Sequence, residues 1–256
     1  MTDDFSKLKE MKYPGRGITI GMTLEGNPFV GYTLTGRSPS SQARKLVYDK
    51  SLSTIRTDVT DQEQLKKGNP ALLIYPAIIA VEKRRVVTSN GVQTKLLTNS
   101  ARQMNMKDIR PIDILVDAMN IPVDENGIDI TTYEPDAPNF TPRINGCLDE
   151  QLGGFYIVRK ATEHSADVNT FSFNLEPGIA RLITTYLGGN ENPLLPFRDN
   201  PLEAKVQSVN ASQICESLYD AIGPKDGNNY RVAVAIMMKK RDGLDVVVIN
   251  RFDRGE

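Results

Sequence analysis

Two β-rich runs, residues 18–23 (ITIGMT) and 28–35 (PFVGYTLT), are joined by Glu25-Gly26-Asn27. A Gly-centred turn between such runs predicts an opening hairpin. Residues 46–59 have room for one or two more strands, and 61–67 (DQEQLKK) predicts a short helix ended by Gly68. The next segment, 71–81 (ALLIYPAIIAV), is almost wholly apolar, which predicts burial on both sides with Pro76 breaking or bulging it. Runs at 84–88 and 92–97 flank Ser89-Asn90-Gly91, and Asn-Gly between such runs predicts a second hairpin. Asp108 is positioned to cap a helix over 109–119. Pro111 falls in its first turn, and Ile114, Leu115, Ala118 and Met119 form one apolar stripe.

The second half reads differently. Residues 155–160 and 168–175 are strand-like, and Pro177 opens a predicted helix over 178–187 with Gly188 as its cap. The Asn- and Pro-rich stretch 188–205 reads as a long loop. A helix over 211–222 has Asn210 and Gln213 spaced as a capping box and Gly223 as terminator. Strands at 231–239 and 244–250 turn through Asp242-Gly243. No repeat, low-complexity tract or linker divides the chain, so a single domain over 1–256 is expected. Many antiparallel hairpins with helices between them indicate an α+β fold rather than a doubly wound α/β sheet. Two largely buried sheets would need helical cover, which a layered sandwich supplies.

Composition narrows the function classes. The 256 residues carry a formal charge of −1 and are 39% hydrophobic. That is ample for a buried core and argues against a nucleic-acid or membrane-surface binder, which would show a basic excess. No apolar run approaches the roughly 18–20 residues that span a bilayer, and Met1-Thr2-Asp3-Asp4-Phe5 does not read as a secretion signal, so a cytoplasmic protein is expected. Cys147 and Cys215 lie far apart and read as buried small hydrophobes rather than a disulfide. His164 is the only histidine and reads as a loop or structural residue. No metal-ligand cluster stands out, which leaves chemistry without metal or cofactor as the expectation.

Four short segments combine polar groups with turn residues, where sites usually sit. Gly36 to Lys45 offers Arg37, Ser38 and Arg44 as a phosphate or carboxylate cradle, since an Arg fork matches phosphate oxygens and Ser adds short donors. Tyr75-Pro76 and Ser89-Asn90-Gly91 follow. The last runs from Tyr133-Glu134 to Thr141-Pro142-Arg143-Ile144 and brings an acid, a phenol and an Arg together. Each also has a plain structural reading: a solvated loop, a core Tyr, a turn, an exposed acid.

The order of these segments resembles the archaeal-type IMP cyclohydrolase family: Gly15-Arg16 before a hairpin, Gly36-Arg37-Ser38, Asn69-Pro70 before Tyr75, Ser89-Asn90-Gly91, Tyr133-Glu134, Thr141-Pro142-Arg143-Ile144, and a helix before the Val232–Ile236 strand. The likeness spans nearly all of residues 15–250, with a polar extension over 1–15 and an insertion around 176–205. It implies a four-layer αββα sandwich of the N-terminal-nucleophile-hydrolase type without the self-processing nucleophile. Thr2, the one legal nucleophile after Met removal, lies about fifteen residues before the first strand.

It further implies ring closure of a formylated aminoimidazole carboxamide ribonucleotide to IMP, without cofactor or metal. On that reading Tyr75, Glu134 and Arg44 are catalytic, and Arg37, Ser38, Asn90, Gly91 and Arg143 bind substrate or its phosphate. The match to Arg44 requires a small gap, and Lys95 stands near where the archaeal pattern has an acid. The partner is a purine ribonucleotide, and a homo-oligomer is left open. Two alternatives stand beside it: an amide hydrolase on the same fold, with Cys147 as nucleophile, and a non-catalytic purine-nucleotide-binding module.

Overall fold

The computed structural model describes residues 3–67, 70–82, 84–106, 108–123, 127–162 and 165–255. Thr2, Gly68, Asn69 and His164 lie outside the described residues. The architecture is α+β, with two antiparallel sheets whose inner faces meet.

The first sheet is assembled from distant parts of the chain. The opening hairpin, β1 (Arg16–Met22) and β2 (Pro28–Thr35), sits at its centre. Strand β10 (Ile179–Thr184) and then β11 (Leu202–Lys205) extend it beside β1, while β12 (Arg231–Lys240) and β13 (Gly243–Asn250) extend it beside β2. The second sheet is a meander in chain order: β3 (Arg44–Asp49), β4 (Thr54–Val59), β5 (Pro76–Val81), β6 (Arg85–Ser89), β7 (Arg143–Asp149), β8 (Leu152–Thr162) and β9 (Ser165–Asn174).

Period-two burial fixes which faces meet. Ile18, Ile20, Val30, Tyr32, Ala235 and Met237 from the first sheet pack against Ile78, Val86, Leu148, Phe155 and Ile157 from the second. On the outer face of the first sheet, Ile214 and Leu218 of helix α7 (Ala211–Ala221) cover Phe29, Val234 and Ile236. On the outer face of the second, α5 (Thr94–Gln103) and α6 (Pro111–Met119) cover Val87, Cys147, Tyr156 and Val158. The stripe Ile114, Leu115, Ala118 and Met119 is buried as its spacing predicts. The N-terminal segment is fastened down: α1 (Ser6–Lys9) buries Leu8 against α7, and the Asp3 carboxylate accepts bonds from the backbone of Gln207 and Ser208. Among the described residues, no helix is long and apolar enough to cross a membrane.

The structure departs from the sequence pattern in four places. Residues 92–97 do not return as a hairpin strand. The Thr94 hydroxyl and N–H both bond the Gly91 carbonyl and start α5, while β6 finds its partner in β7. Residues 178–187 form β10 rather than a helix, because Ala180 and Leu182 go to one face and Ile183 to the other, closing the free edge of β1. The stretch 188–205 is not all loop, since Leu202–Lys205 pair with β10 as β11. The apolar run 71–81, by contrast, is broken at Pro76 as its sequence predicts. A helical turn, α4 (Pro70–Leu73), precedes β5, and Pro76 heads that strand opposite a one-residue register shift at Ile55/Arg56. Helix α6 takes Arg110 rather than Asp108 as its N-cap, with Asp113 reaching back to the Arg110 N–H. Asn210 caps α7 as expected, by accepting from the Gln213 N–H.

Candidate active site

Strand ends from both sheets converge at one end of the sandwich. Arg16 begins β1, Arg44 begins β3, Tyr75 precedes β5, Asn90-Gly91 follow β6 and Arg143 begins β7. The segment between α6 and β7 returns over this end and carries Glu134, whose N–H bonds the Thr141 carbonyl at 2.9 Å. Asp136 accepts from the N–H and the hydroxyl of Thr141, and that hydroxyl also meets the Tyr186 phenol at 2.8 Å. The acid is thus held by a cross-braced loop.

Glu134 is 2% exposed. Its carboxylate stands 3.5 Å from Arg16 Nη2 and 3.8 Å from Arg143 Nη1, both longer than a close ion pair. Burial pushes its pKa up, and the opposing fields of Arg16 and Arg143 do not cancel that effect. Gly91 makes room for it: a Cβ there would lie 3.3 Å from Glu134 Oε1 and 2.6 Å from Gln93 Oε1.

Arg16 lies on the inner face of β1 and is 9% exposed. Burial disfavours its charge, but the fields of Tyr75, Glu134, Tyr186 and Tyr32 outweigh that and hold it protonated. Its Nε is buried with no hydrogen-bond partner among the described residues. Buried donors are normally paired, yet the same guanidinium that reaches Glu134 through Nη2 carries an unused donor at Nε.

Two phenols complete the group. Tyr75 and Tyr32 meet hydroxyl to hydroxyl at 2.9 Å. The Thr57 hydroxyl pins Tyr75 by accepting from its N–H at 2.8 Å and donating to its carbonyl at 3.1 Å. Burial, with the neighbouring Tyr75, raises the Tyr32 pKa well above its ordinary value, and burial pushes Tyr186 up to about 12. Both therefore stay neutral hydrogen-bond donors near neutral pH.

The IMP cyclohydrolase-like protein family matches residues 13–243, which include every residue of this cluster. The chain belongs to that family. An IMP cyclohydrolase of Methanococcus maripaludis is 27% identical over 177 residues, 68% of this chain and 74% of that protein. One of Methanocaldococcus jannaschii is 28% identical over 138 residues, 54% and 57% of the two chains. One of Methanococcus aeolicus is 25% identical over 175 residues, 68% and 74%.

Within this member of the IMP cyclohydrolase-like family, the expected site residues divide into three groups. Glu134, Tyr75, Gly91 and Arg143 are gathered at the cluster, and the field of Arg44 reaches Glu134 and Tyr32. Arg44 is itself buried, donates to the carbonyls of Ser41 and Thr35, and lines a cavity of about 300 Å³ with Gln42 and Arg251. Asn90 uses its amide as a clamp, accepting from the Ile144 N–H and donating to the Pro142 carbonyl, so it positions the Arg143 strand. Arg37 and Ser38 stand apart. Arg37 donates to the Glu191 carbonyl at 3.0 Å and lies over the Tyr13 ring, and Ser38 is an exposed cap on α2 (Pro39–Gln42).

Arg16, Tyr32, Gln93 and Tyr186 were not among the residues singled out from sequence. Gly15-Arg16 stood out only as a motif, and its geometry explains both members: Gly15 has φ +74° and lies against the Tyr186 ring. Cys147, the alternative nucleophile, faces the helices α5 and α6, and burial pushes its thiol up to about 12. That is the environment of an inert core cysteine.

Proposed function

We propose that this chain is an IMP cyclohydrolase that closes the purine ring of a formylated aminoimidazole carboxamide ribonucleotide without metal or cofactor, on a four-layer αββα sandwich of the N-terminal-nucleophile-hydrolase type that lacks the N-terminal nucleophile. The observation that carries the proposal is the Glu134 carboxyl, buried between two Arg at long range, beside a phenol pair and an Arg16 whose Nε has no partner among the described residues. The family membership and the names of the archaeal relatives agree with it.

The carboxamide nitrogen attacks the neighbouring formyl carbon, and the formyl oxygen gains negative charge. Both groups sit on one imidazole, and orienting them is worth on the order of 7–11 kcal/mol over separated partners. Glu134, with its raised pKa, takes the proton that the attacking nitrogen loses. Arg16 and the Tyr75 phenol donate to the developing oxyanion, roughly 3–4 kcal/mol for one well-aimed donor. The oxyanion takes the Glu134 proton to give a carbinol. The hydroxyl then departs as water with a second proton, which the former formamido nitrogen releases through the freed Glu134 carboxylate as the new C=N bond forms. Arg143 keeps the carboxylate end of this arrangement fixed through its bonds to the Thr132 and Asp129 carbonyls. Arg44 is assigned to the ribose phosphate, with Arg37 and Ser38 of the preceding loop as its further contacts once substrate is bound. For Arg37 that role requires release from Glu191.

Purified protein given the formylated ribonucleotide in the presence of a chelator is expected to produce IMP, followed by chromatography. Folded protein that leaves the substrate unchanged would exclude the activity.

A further inference from the structure

On the outer face of the second sheet, α5 packs on β5 and β6, leaving a margin beside β4 that α4 borders. A groove of about 540 Å³ runs along that margin. Its wall is one face of α5, where Lys95, Thr98, Asn99 and Arg102 recur at the spacing of successive helical turns. Its floor is apolar: Ile74, Pro76 and Ile79, with Leu52 standing 67% exposed at the rim. Arg56 of β4 enters from the opposite side, braced by Asp58 at 2.7 Å. Among the described residues that line the groove three are cations and none is a carboxylate, Asp58 standing outside the lining as the partner of Arg56.

The groove is separate from the Glu134 cluster. Tyr75 is common to both, its phenol bonded to Tyr32 on the inner side while the residue contributes to the wall of the groove. Its volume falls in the range of small-molecule sites. Cations facing each other across an apolar floor suit a ligand that is anionic at one end and flat or apolar in its body. We propose that this groove is a second binding site, for a phosphate-bearing small organic anion with an aromatic body, of which a purine nucleotide is the natural probe. Charge complementarity selects the anion, and the Ile74–Ile79 floor selects the body.

The test is a fluorescence titration of the full chain with trinitrophenyl-ATP at low salt, repeated on K95E/R102E. Both positions are exposed on α5, and matching circular dichroism melts establish that the variant folds. Saturable binding is expected, weaker by at least about tenfold in the double variant, because two charge-assisted contacts are replaced by repulsion. Inorganic phosphate should displace the probe more weakly than ATP does, and Leu52→Asp should weaken the probe further than it weakens phosphate. Undiminished binding by K95E/R102E, or no saturable binding to the wild type, would overturn the site. Phosphate competing as well as ATP would overturn the role of the apolar floor. The loss of probe binding in K95E/R102E is read without turnover, so the outcome is independent of the ring-closing activity.

Discussion

The two ends of strand β7 each hold a buried carboxylate near two arginines, and they are built to opposite effect. At the far end Asp149 is gripped by Arg84 at 2.6 Å and Arg85 at 2.8 Å. Arg85 also donates to the carbonyls of Ala101, Met104 and Met106, so it closes the C-terminal end of α5 and its donors are used. At the near end Glu134 stands 3.5 Å and 3.8 Å from its arginines, and Arg16 keeps a donor unused. Burial is similar, with both carboxylates nearly inaccessible. The difference is closure. A fully satisfied pair holds elements together, and a half-satisfied one holds capacity for a ligand.

Substitutions at the two ends should therefore separate rate from stability. The largest effect is expected from Glu134→Gln: a fall of about 10²–10⁴ in the rate of IMP formation with a melting temperature near wild type. A rate within a factor of two of wild type would remove Glu134 from the chemistry. Asp149→Ala should do the reverse, costing about 3–5 kcal/mol in urea denaturation by leaving the buried Arg85 without its carboxylate and taking the close partner of the partly exposed Arg84, with the folded fraction still active. Equal loss of rate and stability in both variants would erase the contrast between the ends.

Arg16→Lys is the finer probe. It keeps the charge beside Glu134 but removes the planar fork, and a rate loss of about 10–10² is expected, with substrate KM moving less than kcat. The smallest effect is on pH dependence. The folded chain holds the Glu134 proton above the pH at which the unfolded chain releases it, so wild-type stability falls as pH rises from the ordinary glutamate range through the raised folded value. Glu134→Gln lacks that slope. The melting temperature of the variant should therefore gain on wild type across this window and run parallel above it; a constant difference would mean that the carboxyl is not raised.

Much of the fold was readable where one rule governed a segment. The opening hairpin, α7 with its Asn210 cap, and the α6 stripe follow from turn residues and helical spacing. The errors fell where a local signal met a non-local partner. Asn90-Gly91 carries a hairpin signal, yet β6 pairs with a strand more than fifty residues on, and the Asn side chain is taken up fastening it. Pro177 suggested a helix start, but the vacant edge of β1 drew 179–184 into a strand.

In the candidate cluster, Glu134 and Tyr75 could be picked out from sequence, because polar groups beside turn residues stand out. Arg16 and Tyr32 were hidden within strand patterns. A lone polar residue in an alternating apolar run reads as core, and only the folded arrangement reveals that Arg16 faces an acid from another segment. Arg37 was conspicuous for the opposite reason. An Arg in a Ser-rich loop looks like an anion cradle, while its contacts here are with Glu191 and Tyr13.

The unlike assembly of the two sheets bears on how the protein emerges from the ribosome. Every pairing in the second sheet joins strands consecutive in the chain, so that sheet can zip as it is made. The β1–β2 hairpin precedes its sheet neighbours by a long stretch of chain, since β10 and β12 begin at Ile179 and Arg231. Arg16 and Tyr32 are therefore synthesised well before the strands that flank them, and their enclosure by β10 and β12 waits on the later part of the chain.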